Sequence, residues 1–154
     1  MARDFVKPEY IFTGQGISTR DAMLEFIAKR GVELGLAGDY DELLRAYHAR
    51  EEEGPTGMID GFAIPHAKAD TVTHAAAFVV KTTAPIEDWE TMDGGPVRCA
   101  IALLVPGLEA GTTHLRLLAQ TATALMDERF RELVLDSEDP AAIAAAVNER
   151  LEEE

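Results

Sequence analysis

The sequence predicts an α/β fold, a three-layer α/β/α domain with a central mixed β-sheet flanked by helices. Two observations carry the prediction. Residues 75–81 (AAAFVVK) and 97–105 (VRCAIALLV) are strand-sized runs of continuous apolar character, the pattern of sheet covered on both faces. Segments with helical spacing lie both before and after them in the chain, so helices are available for each face. At 154 residues with 47% hydrophobic content, the chain is long enough to bury one ordinary core. Pattern alone does not give the strand order.

Taken in order, residues 9–13 (EYIFT) read as a short strand. In RDAMLEFIAKRGVELG, Ala22, Met23, Phe26 and Ile27 fall at helical spacing, with Ser18 or Thr19 able to cap the start. A second helix begins at the N-cap Asp39, where Glu42 three positions later resembles a capping box. Leu43, Leu44 and Tyr47 supply its apolar stripe, Glu51-Glu52-Glu53 reads as its solvated end, and Gly54-Pro55 breaks it. Gly57, Gly61 and Pro65 punctuate Phe62-Ala63-Ile64, which predicts a turn, a short strand and then an exposed loop carrying His66. Asp93-Gly94 is a turn signal between the two long strands. The last third is helical: one helix capped by Thr112 or Thr113, a short one around 128–135, and an alanine-rich one opened by Asp139-Pro140.

Bulk properties exclude several classes of function. No apolar run approaches the ~20 residues needed to span a bilayer, and MARDFVKPEY lacks a signal-peptide core, so a cytoplasmic address without direct membrane insertion is expected. Cys99 is the only cysteine and sits in an apolar run, where packing is favoured over reactivity. The formal charge is −14, from 28 acidic and 14 basic residues. That opposes nucleic-acid binding and favours encounter with a basic partner protein.

Four histidines are present, His48, His66, His74 and His114. Ile64-Pro65 constrains the backbone entering His66, yet a Pro-His pair taken alone fits a surface loop better than catalysis. His114 lies near a helix start and, taken alone, reads as surface decoration. Arg50 precedes three glutamates and on local sequence reads as one half of an exposed ion pair. Other chemistries fare worse. The chain has no phosphate-binding G-x-x-x-x-G-K-[ST] loop, no dinucleotide fingerprint, no zinc motif, and no nucleophile elbow around its two serines, Ser18 and Ser137. His66, His74, His114 and Asp70 lack the tight spacing of a metal site. A single nucleophilic histidine is the sharpest enzymatic hypothesis left.

The segment Thr56-Gly-Met-Ile-Asp-Gly-Phe-Ala-Ile-Pro-His66-Ala67 resembles enzyme IIA of the fructose/mannitol class of the phosphoenolpyruvate-dependent sugar phosphotransferase system. Arg50-Glu51, Trp89…Met92-Asp93-Gly94-x-Pro96-Val97, Leu103-Leu104-Val105-Pro106, His114-Leu115 and Leu125-Met126-Asp127 follow in the family's order. The likeness covers about residues 10–150, and the Trp89–Val97 stretch is most like the fructose branch. Ile59 stands where a small residue is usual, and Phe62 where an aliphatic one is.

The resemblance implies that residues 1–154 form a single phosphotransferase domain with a phosphohistidine intermediate. It implies that His66 is the phosphorylated nucleophile, His114 the second catalytic histidine, and Arg50 the basic residue that binds the phosphoryl group; backbone N–H groups near Thr113 are expected to bind it too if that helix start faces the site. No metal or other cofactor is required, because the donor is itself a protein phosphohistidine. The implied donor is the phosphocarrier protein HPr, the acceptor is a cysteine of enzyme IIB, and the membrane permease enzyme IIC is served indirectly, with fructose the expected sugar. The alternative is a regulatory module that signals through the phosphorylation state of His66. His48 and His74 are expected at the surface, Trp89 in packing or at a partner surface, and Asp60 and Lys68 near the partner surface.

Overall fold

The computed structural model describes residues 5–109 and 112–151, without the side chains of residues 109, 112 and 113. Among these residues five strands form one sheet: β1 (Ile11–Gln15), β2 (Phe62–Ala63), β3 (His66–Ala69), β4 (Ala76–Ile86) and β5 (Val97–Pro106). The order is β1-β4-β5-β2, with β3 also paired to β5. Only β4 and β5 run antiparallel; β1 pairs with β4, and β2 and β3 with β5, in parallel, so the sheet is mixed. The two long central strands are those whose continuous apolar runs predicted burial on both faces. From Val97 to Pro106 only Arg98 is exposed.

Among the described residues five α-helices flank the sheet: α1 (Arg20–Glu33), α2 (Tyr40–Glu53), α3 (Thr112–Ala124), α4 (Glu128–Asp136) and α5 (Pro140–Leu151). They fall into two groups, α1 packing on α2, and α5 packing on both α3 and α4. Thr19 caps α1 by accepting from the Ala22 N–H at 3.1 Å. A Cβ at Gly31, on the buried side of α1, would come within 3.1 Å of Leu104 and 3.2 Å of Leu43. Glycine therefore allows α1 to press against both β5 and α2. Asp39 caps α2 through the Glu42 N–H, but the reciprocal half of the expected capping box is not made. The Glu42 carboxylate instead accepts the Thr71 N–H at 2.9 Å, and the Asp39 N–H donates to the Thr71 hydroxyl at 2.7 Å. These bonds tie the start of α2 to the turn after β3, a tertiary connection that outcompetes the local one.

Lys81 shows the same preference for tertiary partners. Its ammonium, almost wholly buried on β4, donates to the carbonyls of Leu135 at 3.0 Å and Ser137 at 2.6 Å. A cation there satisfies carbonyls left open at the end of α4 and complements the helix dipole. Asp127 and Asp139 accept amides at the starts of α4 and α5. Cys99 is fully buried, and desolvation pushes its thiol up to about 12, as a packing role requires.

Candidate active site

The site is built where β2 and β3 run along the edge of β5. Phe62 pairs with Cys99, Ala63 with Ala100 and His66 with Leu103, so the register is the same on both sides of Ile64-Pro65. The two short strands are in effect one edge strand interrupted by a proline, which has no N–H to give to a ladder. The Pro65 carbonyl still accepts the Leu103 N–H at 2.9 Å. His66 thus opens β3 and is only 3% exposed. The sequence predicted an exposed loop here. The proline does interrupt the strand, but β5 holds the chain in register and α2 packs across β3.

Two partners determine the state of the His66 ring. Nδ1 lies 2.8 Å from the Ile64 carbonyl, which can only accept, so Nδ1 carries the proton. The Arg50 Nε–H donates to Nε2 at 2.9 Å, so Nε2 holds the lone pair. Burial, with smaller contributions from Arg50 and His114, lowers the His66 pKa to about 4 from its ordinary 6.5, against the raising effects of the Ile64 carbonyl and Glu53. The neutral form is therefore the resting form at neutral pH.

His114, in the first turn of α3, places its ring centroid 5.3 Å from that of His66, with the planes at 45°. Its Nδ1 is buried and has no hydrogen-bond partner among the described residues. Burial, then Lys68 and Arg50, lower its pKa as well. Arg50 comes from the last turn of α2, where a second bond, from Nη1 to the Gly54 carbonyl at 2.8 Å, fixes its guanidinium. It is bound to the imidazole and not to a neighbouring glutamate, which was the local expectation. The side chain of Thr113 lies outside the described residues, although its backbone belongs to the same helix turn as His114.

The remaining candidates are not part of this cluster. His48 lies 4.0 Å from Asp21, and His74 is exposed beside the Thr73 hydroxyl. Trp89 is a packing residue at 2% exposure. Asp60, in the left-handed region at φ 52°, pairs with Arg131 at 2.9 Å. Lys68 is the exception: exposed on β3 two residues after His66, it sits near enough for its charge to lower the His114 pKa. Among the described residues no group of three or more His, Cys, Asp or Glu side chains could hold a metal ion, and no helix is long and apolar enough to cross a membrane.

A further group was misjudged from sequence. Glu51, expected in solvent, is 6% exposed and bonds Thr56, itself 5% exposed. The signal was present, because Glu51 continues the Leu43–Tyr47 stripe at four-residue spacing and so faces the core with them.

An imidazole held neutral, with its lone pair aimed at a guanidinium and a second imidazole alongside, is suited to exchanging an anionic group. Fold and family define a phosphotransferase, a domain that carries phosphate between partners. The chain belongs to the family described as phosphoenolpyruvate-dependent sugar phosphotransferase system, EIIA 2, whose model matches residues 4–150. It is 32% identical to a fructose-specific EIIA component of Haloferax volcanii over 88% of this chain and 86% of that protein. It is 31% identical to a 2-O-alpha-mannosyl-D-glycerate-specific EIIABC component of Escherichia coli over 86% of this chain, but spans only 20% of that longer protein. A nitrogen regulatory protein of Bradyrhizobium diazoefficiens is 32% identical over 91% of this chain and 90% of its own length. Among solved structures, the IIA-Ntr protein of Neisseria meningitidis has the same fold at TM-score 0.81 and 24% identity, covering 93% of this chain and 96% of its own. The mannitol IIA of Escherichia coli follows at TM-score 0.75 and 19% identity, covering 92% and 98%.

Proposed function

We propose that the chain acts as a single cytoplasmic phosphocarrier domain in which Nε2 of His66 accepts a phosphoryl group from phospho-HPr and passes it to a cysteine of enzyme IIB, in support of fructose uptake through a membrane permease. The observation that carries this reading is the pairing of Nε2 with the Arg50 guanidinium while Nδ1–H is held on a carbonyl. Attack from Nε2 forms the new N–P bond as the donor's N–P bond breaks, and that electron pair returns to the donor imidazole. The ring gains positive character during attack, and the Nδ1–H···O=C bond disperses it. Arg50 has to release Nε2 for the bond to form, and its guanidinium then meets the oxygens of the arriving phosphoryl group. The Nδ1 of His114, when protonated, provides a further donor. Such transfers run through a loose transition state, so alignment and charge stabilisation are what the protein contributes. In the second step a thiolate attacks phosphorus, the S–P bond forms, and the electron pair of the N–P bond returns to Nε2.

The fructose assignment is supported by the Haloferax relative, which matches over nearly its whole length. The IIB partnership is supported by the fold shared with the Escherichia coli IIA mannitol chain, solved in complex with phosphorylated IIB mannitol. One observation favours a regulatory reading: the Bradyrhizobium nitrogen regulatory protein is equally similar and equally complete in its match. Reconstitution with phosphoenolpyruvate, enzyme I, HPr and candidate IIB proteins tests both. Phosphate reaching IIB supports transport, whereas a stable phosphorylated form that no IIB discharges favours regulation. A His66→Ala protein that still acquires the acid-labile adduct refutes the site.

A further inference from the structure

We propose that Glu51 is a positioning residue that sets the tautomer of His66 through Thr56 and Ile64. The chain of bonds is continuous. One carboxylate oxygen of Glu51 accepts the Thr56 N–H at 3.1 Å, and the other accepts the Thr56 hydroxyl. The Thr56 carbonyl accepts the Ile64 N–H at 3.0 Å. The Ile64 carbonyl accepts Nδ1–H of His66 at 2.8 Å. Each link is buried: Glu51 at 6%, Thr56 at 5%, Ile64 at 2% and His66 at 3% exposure.

A buried carboxylate is costly unless its acceptor sites are used, and here both oxygens are spent on one residue. Thr56 is the residue to hold, because it starts the tight excursion from Thr56 to Ile64 whose far end presents the critical carbonyl. Packing clamps the excursion from the other side: a Cβ at Gly57 would lie 2.3 Å from the Glu90 carbonyl oxygen. Glu51 and Arg50 are consecutive on α2, about 100° apart around the helix axis. One helix end therefore addresses both ring nitrogens, Nε2 directly through Arg50 and Nδ1 through the Glu51 relay. The field of the Glu53 carboxylate raises the His66 pKa; the part assigned to Glu51 is one of bond geometry, through Thr56 and Ile64.

If the relay holds, its loss frees the Ile64 carbonyl to drift and lets the proton move to Nε2, a tautomer whose Nε2, the atom that faces Arg50, has no lone pair to attack with. Mutating such outer partners typically costs about 10- to 100-fold in activity. The proposal rests on His66 being the phosphoryl acceptor, but its primary readout does not. Nitrogen-15 NMR of histidine-labelled protein reports the His66 tautomer with no phosphoryl donor present. Glu51→Ala and Thr56→Val are expected to populate the Nε2–H form and to slow phosphoryl acceptance about 10- to 100-fold. Thr56→Ser, which keeps the hydroxyl, is expected to restore the native tautomer and rate. If Glu51→Ala does not fold, Glu51→Gln and Thr56→Val decide. A folded Glu51→Gln or Thr56→Val protein with the native Nδ1–H signature and native rate overturns the proposal. An altered tautomer in a protein whose adduct survives His66→Ala would instead overturn the acceptor assignment and leave the relay standing.

Discussion

The depressed His66 pKa has a consequence large enough to measure in two independent ways. With a folded-state value near 4 and an ordinary value of 6.5, the imidazole at pH 5.5 would be about 97% neutral in the protein and about 9% neutral in an exposed histidine. Nucleophile availability is therefore expected to stay flat from pH 7.5 to about 5, where an unshifted histidine would lose roughly 30-fold. The same shift links pH to stability. Between pH 6.5 and 4 the unfolded chain takes up a proton that the native ring refuses, so the contribution is fully present above 6.5 and is lost as pH falls toward 4. Integrated from pH 7 to 4.5, it amounts to about 2 kcal/mol. A nitrogen-15 titration of His66 is expected to give a midpoint near 4. Urea melts at pH 7 and 4.5 should show the His66→Gln protein losing about 2 kcal/mol less than the parent, since other groups titrate alike in both. A midpoint at or above 6, or equal pH-dependence in the two proteins, would refute the account of a desolvated, carbonyl-anchored ring.

Other expectations follow from the same geometry. Arg50→Ala removes the donor on Nε2 and is expected to slow transfer by about 100- to 1,000-fold with the fold intact, measured with labelled phosphoenolpyruvate; a native rate would separate Arg50 from the chemistry. Gly57→Ala drives a methyl group into the Glu90 carbonyl, and an expected loss of about 1–3 kcal/mol would show in thermal melts, an unchanged midpoint being the contrary result. Lys81→Met leaves the Leu135 and Ser137 carbonyls without their donor; a cost of about 1–3 kcal/mol is expected in urea unfolding and would be contradicted by a neutral substitution. Cys99 is expected to resist thiol reagents at pH 8 until the protein unfolds, because burial both shields the sulfur and raises its pKa to about 12; rapid labelling of the native protein would count against that environment.

How much of this was legible beforehand differs by element. The long strands declared themselves because residues covered on both faces are apolar without alternation, and the helix starts because Thr19, Asp39 and Asp139 are the right chemistry in the right place. The family could be read from the Thr56–Ala67 segment and the ordered matches after it, and the model match over residues 4–150 agrees. Local reading failed where long-range partners decided. Glu42 gave up its box for Thr71, Arg50 bonded an imidazole sixteen positions away, and Glu51 turned inward to Thr56.

The sequence by itself determined the α/β class, most helix starts and the burial of Cys99, because propensity, capping and apolar runs act over a few neighbouring residues; His66 and His114 became candidates through the family resemblance alone. Only the tertiary structure decided that Pro65 interrupts an edge strand without shifting its register, that the two imidazoles meet 5.3 Å apart, and which nitrogen of His66 bears the proton. Those depend on β5 and the end of α2 being brought against the same three residues. Distance in space, on which hydrogen bonding and desolvation depend, is not written in the spacing along the chain.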